Sequence, residues 1–254
     1  MARRPRAEPA DARDSVDRPI LGVLGGMGPM ATVDFLRRLY RRSNARCDQD
    51  QIPVLACIAS TVPDRTEFLL GRGADPYPQM LRGMRLLRQG GASAVAMPCN
   101  TAHYWADALE RDSGVRLVHM VEAVGDCLMR APQRLRAAGL MATRGTIKAG
   151  LYPSRLTSLG IACLAPDGPT QEGIDTAIRL VKAGRATEAQ PFATAAERAL
   201  LEQGAEAILL ACTELPLALR SSPSTTAPRI DSTEVLVDAC LRRFGESGRP
   251  DANG

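Results

Sequence analysis

Short apolar runs alternate with longer amphipathic stretches along most of this chain. The runs end at glycine or small polar residues, as buried strands do, whereas the stretches between them repeat their apolar positions with helical spacing. Strands are predicted at 20–25, 53–59, 92–97, 115–119, 135–142, 161–164 and 208–211. Helices are predicted at 31–42, 76–89, 102–112, 121–130, 150–159, 171–183, 188–204 and 233–243. Strands that alternate with helices indicate parallel sheets covered on both faces.

The order of elements begins again near the middle of the chain. A glycine turn follows the first strand and a turn of small residues follows the strand at 135–142, and in both halves about 70 residues separate the turn from a cysteine at the end of a later strand. The sequence therefore predicts an α/β fold of two pseudo-symmetric domains, each a parallel sheet flanked by helices. The predicted divisions are a disordered tail at 1–18, a first domain at 19–116 plus 227–245, a second domain at 117–226 and a disordered tail at 246–254.

The glycine turn at 25–29 resembles a dinucleotide-binding loop only loosely. The pattern Gly26-x-Gly28-x-x-Ala31 fits, but the acid expected about 20 residues later should end the second strand. Asp48 and Asp50 precede that strand instead. We therefore interpret the turn as a place where the backbone approaches a ligand. The helix after it is predicted to face the core with Val33, Leu36, Leu39 and Tyr40.

Composition argues against several classes of function. The 254 residues carry a formal charge of only +4, and aromatic residues make up 4%, so stacking platforms for nucleic acid are not expected. No apolar run has transmembrane length, and the first 18 residues lack the apolar core of a secretory signal. We therefore expect a cytoplasmic protein with neither a nucleic-acid nor a membrane partner.

The cysteines indicate neither a disulfide framework nor a metal site. They are seven in number and widely spread, and no Cys-x-x-Cys pair occurs. Five of them lie inside predicted helices and strands or beside them, where a cysteine is usually a small buried apolar residue: Cys47, Cys57, Cys127, Cys163 and Cys240. No metal and no cofactor is predicted.

Cys99 and Cys212 differ from the other cysteines because each follows a buried strand directly and precedes a predicted helix. Ligands of open α/β sheets bind at the carboxyl ends of strands, and a helix amino terminus favours thiolate over thiol. We expect the two sulfurs to face each other across a cleft, as removal of a carbon-bound proton on one face and delivery on the other would require. The alternative is a single nucleophile, Cys99, with His103 as its base.

Two cations are candidate ligands for an acidic substrate. Arg65 follows the second strand, so it is expected at the same sheet edge as Cys99. Of the 32 lysine and arginine residues only Lys148 and Lys182 are lysines, which suggests that Lys182 is needed as a compact ammonium. Surface ion pairing and stabilisation of a helix end remain the alternative roles for these two residues.

Five motifs together resemble the aspartate racemases of the cofactor-independent aspartate/glutamate racemase superfamily. They occur in the order found in that family and extend from about residue 20 to residue 244: Gly25-Gly26-Met27-Gly28-Pro29, Pro63-Asp64-Arg65-Thr66, Pro98-Cys99-Asn100-Thr101-Ala102-His103, Ala142-Thr143-Arg144-Gly145-Thr146 and Cys212-Thr213-Glu214. The resemblance implies a two-domain isomerase with its active site at the domain interface. Homodimers are common among such enzymes, and we expect one here.

The resemblance also implies a role for individual residues. Cys99 and Cys212 match the two catalytic cysteines, with Cys212 acting on the proton of the L-substrate and Cys99 on that of the D-substrate. Arg65 and Lys182 match the cations that receive the side-chain carboxylate. The α-carboxylate and amino group are assigned to Asn100, Thr101 and Thr213, and the predicted binding set is completed by Met27, Thr143 and Glu214.

Three functions are consistent with these residues. The first is reversible racemisation of aspartate, and by extension glutamate, which both cysteines and the Asp64-Arg65-Thr66 segment favour. The second is a single-cysteine isomerase or decarboxylase of the same superfamily. The third is a protein that binds acidic ligands without turnover.

Overall fold

The computed structural model describes residues 18–131, 134–221 and 227–245. Its strands are β1 (Ile20–Gly25), β2 (Val54–Ile58), β3 (Ala92–Ala96), β4 (Arg116–Val118), β5 (Ala137–Ala142), β6 (Ala162–Leu164), β7 (Ala207–Ala211) and β8 (Arg229–Asp231). Its α-helices are α1 (Pro29–Arg42), α2 (Arg65–Leu69), α3 (Tyr77–Gln89), α4 (Ala106–Ser113), α5 (Met120–Arg130), α6 (Arg144–Lys148), α7 (Leu151–Ser158), α8 (Gly168–Lys182), α9 (Ala186–Glu202), α10 (Leu215–Ala218) and α11 (Ser232–Phe244).

The strands form two four-stranded parallel sheets with the same internal order. The first sheet runs β2-β1-β3-β4 and the second runs β6-β5-β7-β8. Each strand of the first sheet thus has an equivalent four strands later in the chain. The predicted α/β fold and the internal repeat are confirmed, and we refer below to the residues up to 131 as the first half and those from 134 onward as the second half.

Both faces of each sheet are buried, which explains why the strands are apolar throughout. In β1, Leu21 and Val23 pack with Phe35 of α1 and with α11, whereas Leu24 points to the other face and packs with Met80 of α3. Full burial of such a side chain contributes about 2 kcal/mol to folding.

Helix α11 connects the two halves after the second sheet is complete. It packs against α1 of the first half and against α5, the helix that precedes the second sheet. Strand β8, just before it, pairs with β7. The part of 227–245 that forms a strand therefore belongs to the second sheet and not to the first domain as predicted, because β8 occupies the position equivalent to β4. Likewise β4 lies in the first sheet, although the predicted boundary divides it.

Helix α1 is rotated relative to the prediction. Leu39 is buried as expected, but Val33 is 54% and Tyr40 is 40% exposed. The buried face instead includes Asp34, whose carboxylate accepts hydrogen bonds from Arg38 on the same helix and from Arg220. A buried carboxylate must be paired, and this pairing turns the helix toward the second half.

The remaining differences concern short elements. The sequence prediction missed α2, α10 and β8, and the turn predicted at 143–146 is the start of α6. The residues after Cys99 form a 3-10 turn, Thr101–Trp105, before α4 begins. No helix of the described residues is long and apolar enough to cross a membrane. The tails predicted at 1–18 and 246–254 lie outside the described residues except for Arg18, whose guanidinium donates to the carbonyl oxygen of Gln49.

Candidate active site

Cys99 and Cys212 line the same cavity, between the carboxyl edges of the two sheets. Cys99 follows β3 and Cys212 follows β7, the equivalent strand of the second sheet. Both cysteines are almost fully buried, with 6% and 5% of their surface exposed. The cavity is lined by Met27, Asp64, Arg65, Thr66, Cys99, Asn100, Thr101, Thr143, Lys182, Cys212, Thr213 and Glu214.

The glycine turn after β1 brings backbone to the cavity. Gly26 has φ +91°, and a Cβ at this position would lie 2.6 Å from the carbonyl carbon of Ala59, so a larger residue is excluded. The turn presents the carbonyl oxygen of Met27 to the guanidinium of Arg65. The turn thus lies close to the backbone at Ala59 and contacts Arg65, while its approach to a ligand stays a prediction.

Arg65 is a buried cation held by backbone oxygens. Its Nη1 donates to the carbonyls of Val62, at 3.2 Å, and Pro63, at 2.8 Å, and its Nη2 donates to Met27, at 3.2 Å. The residue is 8% exposed, its Nε is buried without a hydrogen-bond partner, and among the described residues no carboxylate forms an ion pair with it. A buried charge of this kind requires an anionic partner, so the cavity is suited to receive a carboxylate.

Lys182 supplies a second cation from the opposite half. Its Nζ lies 3.8 Å from a carboxylate oxygen of Asp64, and its side chain is 39% exposed. Burial alone would lower the pKa of Lys182, but electrostatic interactions with Glu214, Cys212 and Asp64 raise it overall. Lys182 is therefore protonated at neutral pH and, unlike Arg65, lies within 4 Å of a carboxylate oxygen.

Asp64 also begins α2. Its carboxylate accepts hydrogen bonds from the backbone N–H groups of Thr66 and Glu67 at 2.8 and 3.0 Å. Burial acts to raise the pKa of Asp64, but these bonds and the nearby Lys182 and Arg65 lower it. Asp64 thus remains ionised and positions α2 at the entrance of the cavity.

Asn100, the residue after Cys99, is hydrogen-bonded to the second half through both ends of its amide. Its Oδ1 accepts from the hydroxyl of Tyr152 at 2.5 Å, and its Nδ2 donates to Ser232 Oγ at 3.0 Å. Ser232 Oγ donates in turn to the carbonyl of Leu210 in β7. One N–H of the amide and one lone pair of Oδ1 stay available to a ligand.

Thr101 contacts the second half through a triangle of hydroxyl groups. Its Oγ1 lies 2.9 Å from that of Thr143 and 2.8 Å from that of Thr146, and the latter two are 3.0 Å apart. Thr143 also caps α6 by accepting from the N–H of Thr146. This close approach requires a glycine at position 145, where a Cβ would lie 2.8 Å from the Cα of Thr66.

His103 is engaged by backbone groups at both ring nitrogens. The N–H of Met120 donates to its Nε2 at 3.1 Å, so the proton is on Nδ1, which donates to the carbonyl oxygen of Cys99 at 2.9 Å. Burial, followed by the neighbouring His119, lowers the pKa of His103 from 6.5 to about 3. Neither nitrogen is free to take a proton from Cys99, so the geometry does not support His103 as its base. The residue holds the Cys99 loop.

The surroundings of Cys212 are acidic. Its Sγ donates to Oε2 of Glu214 at 3.1 Å, and the hydroxyl of Thr213 donates to the same oxygen at 3.2 Å. Burial raises the pKa of Cys212 well above its ordinary value, and Glu214 adds to this, whereas Lys182 acts in the opposite direction. The expectation that a helix amino terminus would lower this pKa is wrong, because α10 has only four residues and its N-cap residue is Glu214, whose carboxylate accepts from the sulfur.

The remaining cysteines lie away from the cavity. Cys240 is on the buried face of α11, and Cys163 is in β6. Burial raises the pKa of Cys240 to about 12 and that of Cys163 to about 11. Among the described residues no group of three or more His, Cys, Asp or Glu side chains is placed to hold a metal ion.

The structure brings all ten residues of the predicted site together around the cavity. It adds Asp64 and Thr66, which belong to the same motif as Arg65. Three further residues hydrogen-bond to residues that line the cavity: Thr146 to Thr101, and Tyr152 and Ser232 to Asn100. Thr146 lies within a motif already noted. Tyr152 and Ser232 carry no sequence signal of their own, since only the fold places them beside Asn100.

Comparison with known proteins gives consistent results. The Broad specificity amino-acid racemase RacX of Bacillus subtilis is 26% identical over 243 residues, which are 89% of this chain and 98% of that protein. The Picrophilus torridus aspartate racemase structure has a TM-score of 0.79 and 27% identity, and covers 89% of this chain and 94% of its own. Glutamate racemase from Thermus thermophilus, in complex with beta-chloro-D-alanine, has a TM-score of 0.63 and 25% identity over 93% of this chain and 84% of its own.

A sequence profile of the Asp/Glu/hydantoin racemases matches residues 24–240, which include every residue that lines the cavity. The resemblance seen in the five motifs is thereby confirmed. The chain belongs to the Asp/Glu/hydantoin racemase family and is an enzyme of the isomerase class.

Proposed function

We propose that this racemase interconverts L- and D-aspartate without a cofactor, with Cys99 and Cys212 as its two acid/base groups. The observation that carries the proposal is the placement of both cysteines. They end equivalent strands of two sheets and line one cavity that also contains a cation from each half. The similarity to the Picrophilus aspartate racemase supports aspartate as the substrate.

In this proposal, the side-chain carboxylate of the substrate binds Arg65 and Lys182. Three of the five N–H groups of Arg65 are fixed on backbone carbonyls, which leaves the buried Nε–H and the second N–H of Nη2 for a carboxylate. A rigid guanidinium orients a carboxylate well. Lys182 would exchange its long contact to Asp64 for one to the substrate.

The α-carboxylate and amino group are assigned to the polar residues next to the two cysteines. Thr213 gives its hydroxyl proton to Glu214, so its oxygen is left as an acceptor, which suits the substrate ammonium group. Asn100 has an N–H available, and Thr101 offers a hydroxyl; both suit the α-carboxylate. These contacts would place the α-carbon between the two sulfurs.

The chemistry is then a proton transfer on each face of the α-carbon. One thiolate removes the α-proton and becomes a thiol, and the opposite thiol gives its proton to the other face and becomes a thiolate. No other atom changes partner. Orientation in the closed cavity and exclusion of water supply much of the rate.

The direct test is solvent-isotope exchange at the α-carbon. In D₂O, the enzyme is expected to incorporate deuterium into aspartate as it inverts it. Cys99→Ala and Cys212→Ala should each lose inversion while keeping the far-UV circular dichroism of the parent, and Cys163→Ala, in β6, is the matched control that keeps activity. Inversion that persists in either of the first two variants would remove the two-base scheme.

The same assay separates the other candidates. A single-cysteine isomerase or decarboxylase would need Cys99 alone and would form a trappable adduct, whereas a binding protein would neither exchange nor invert. A panel that adds glutamate and neutral amino acids tests the substrate range, for which the glutamate racemase and RacX similarities make glutamate and neutral residues relevant competitors. The cytoplasmic location and the homodimer stay predictions.

A further inference from the structure

Glu214 is the one acidic side chain of the described residues that hydrogen-bonds to a sulfur in the cavity. It is 4% exposed, and its Oε2 accepts from both Cys212 Sγ and Thr213 Oγ1. Its Oε1 faces the glycine turn of the first half, 3.1 Å from the position where a Cβ of Gly28 would lie. Among the described residues no carboxylate is hydrogen-bonded to Cys99, so the two cysteines are unequal.

Glu214 is poorly suited to bind either carboxylate of the proposed substrate, because a buried glutamate would repel both. Only the substrate ammonium group could lie beside it, and that group is assigned to Thr213. The Oε2 atom of Glu214 already accepts from the two donors of its own loop. Its contacts point to an effect on the neighbouring sulfur.

We propose that Glu214 acts on Cys212 and not on the substrate: its carboxylate keeps this sulfur protonated in the unliganded site, which makes Cys212 the proton donor and Cys99 the first base of the resting enzyme. The assignment of donor and base rests on the proposed racemase function. The coupling between Glu214 and Cys212 does not.

The proton balance of a first turnover follows. The Cys99 thiolate takes the α-proton and becomes a thiol, while Cys212 gives its S–H proton to the opposite face and becomes a thiolate beside the Glu214 carboxylate. This thiolate is destabilised by the adjacent charge and is therefore a strong base. Two routes restore the resting state. Either Cys212 regains a proton from solvent while Cys99 loses one to solvent, or Cys212 takes the α-proton of a substrate of the opposite configuration while Cys99 gives its proton to the other face of that substrate.

Four charged side chains line the cavity together with Cys212. Glu214 belongs to the same loop, Lys182 ends α8, and Asp64 and Arg65 begin α2. Lys182 favours the thiolate and Glu214 disfavours it, with burial acting in the same direction as Glu214. Removal of the Glu214 charge and removal of the Lys182 charge should therefore shift the ionisation of Cys212 in opposite directions.

The experiment measures iodoacetamide alkylation of each cysteine as a function of pH, by peptide mass spectrometry, in the full-length unliganded protein. Only thiolate reacts, so the pH midpoint of alkylation reports ionisation. We expect Cys99 to react at lower pH than Cys212. In Glu214→Gln, the Cys212 midpoint should fall by about one pH unit or more, and in Lys182→Met it should rise.

Three internal controls accompany the measurement. Cys47, which is exposed, should keep its midpoint in every variant. Glu172→Gln removes the same charge from the exposed surface of α8 and should leave Cys212 unchanged. Unfolding temperatures identify any variant that has lost its fold, and a Glu214→Gln protein that does not fold leaves Lys182→Met as the deciding variant.

The outcomes are distinguishable from those of the racemase assay. If inversion of aspartate is absent while the Cys212 midpoint moves in opposite directions in the two variants, the proposed function fails and the coupling stands. If inversion is present and the midpoint does not move, or Cys212 ionises before Cys99 in the parent, the assignment made here is overturned.

Discussion

The Cys99 loop and the Cys212 loop occupy equivalent positions in two similar sheets, yet different forces hold them. The Cys99 loop is fixed by hydrogen bonds, through Asn100 to Tyr152 and Ser232 and through His103 to the backbone. The Cys212 loop carries two polar residues whose bonds stay within the loop, and it is dominated by the charges of Glu214 and Lys182. One sulfur is positioned and the other is electrostatically adjusted.

This difference shows what pseudo-symmetry does and does not provide. Repetition of the β-α pattern places a cysteine at the end of β3 and of β7, so that both line one cavity. The residues that follow each cysteine are free to differ, because they are not needed for the sheet. The two cysteines therefore lie in a symmetric frame but have unequal surroundings.

Arg65 and Lys182 differ in the same way as the two cysteine loops: one is held by hydrogen bonds and the other mainly by charge. Their removal is expected to have the largest effect on kcat/KM. Arg65 is buried and rigid, whereas Lys182 is partly exposed and paired at 3.8 Å with Asp64. Arg65→Met should lower kcat/KM for aspartate by about 1,000-fold, since a bidentate charge-assisted contact is lost, and Lys182→Met by about 10-fold. Steady-state kinetics in both directions provide the measurement.

The control for these variants is Arg72→Met, which removes an exposed arginine paired with Glu67 near the end of α2. It should change kcat/KM little. Because the two enantiomers have equal free energies in solution, every variant must change kcat/KM equally for L- and D-aspartate. Equal losses in Arg65→Met and Lys182→Met would contradict the division of roles between the two halves.

Much of the site could be predicted from the sequence because its residues lie at the ends of strands. An apolar run followed by Cys99 or Cys212 shows the strand and its carboxyl end together, and Arg65 follows its strand after a short loop. The positions of these residues can therefore be predicted without information about contacts between the two halves.

Features that depend on contact between the halves were not predictable. The sequence of α1 places Val33 and Tyr40 on its apolar face, but the buried Asp34 and its pairing with Arg220, far along the chain, set the orientation. Strand β8 is three residues long and is defined by its neighbour β7. The ionisation of Cys212 likewise depends on burial and on Lys182 from another helix.

The next largest effect is expected on stability, from substitution of His103, whose hydrogen bonds hold the Cys99 loop. His103→Leu leaves the carbonyl of Cys99 and the N–H of Met120 buried without partners, at a cost of about 1–3 kcal/mol for each. We expect the free energy of unfolding to fall by about 3 kcal/mol. Urea denaturation monitored by circular dichroism measures this loss.

The other histidine is a matched control. His119 caps α5 by accepting from the N–H of Glu122, and His119→Asn keeps an acceptor at that position. Its cost should stay below about 1 kcal/mol. A cost for His119→Asn that matches that of His103→Leu would indicate a general effect of losing a histidine here rather than loss of the Cys99 anchor.

The pH dependence of stability sharpens the same point. Because the pKa of His103 is about 3 in the folded protein and 6.5 in an ordinary environment, the unfolded chain binds a proton between these values that the folded protein does not. The contribution of His103 is therefore complete above the unfolded pKa and is lost as pH falls, by about 1.4 kcal/mol per pH unit. His103→Leu lacks this term.

The difference in unfolding free energy between the parent and His103→Leu is thus expected to narrow as pH falls below 6.5. Denaturation series at several pH values measure it. The carboxylates of the protein affect both proteins alike and cancel in the difference. A gap that is constant with pH would mean that His103 is not held neutral, and the tautomer assigned from its backbone contacts would be wrong.

Tyr152→Phe makes the smallest and most local change, because it removes one hydroxyl from the bond to Asn100 and leaves the ring in the core. Loss of this bond should cost about 1 kcal/mol of stability and lower kcat about 10-fold through looser placement of the Cys99 loop. Tyr104→Phe, at an exposed tyrosine, is the control. If the Cys99 side is set by position and the Cys212 side by charge, Tyr152→Phe must leave the alkylation midpoint of Cys212 unchanged while Glu214→Gln moves it. A shift of the Cys212 midpoint in Tyr152→Phe would show that the hydrogen bonds of the Cys99 loop influence the ionisation of Cys212. Position at one cysteine and charge at the other would then not be independent.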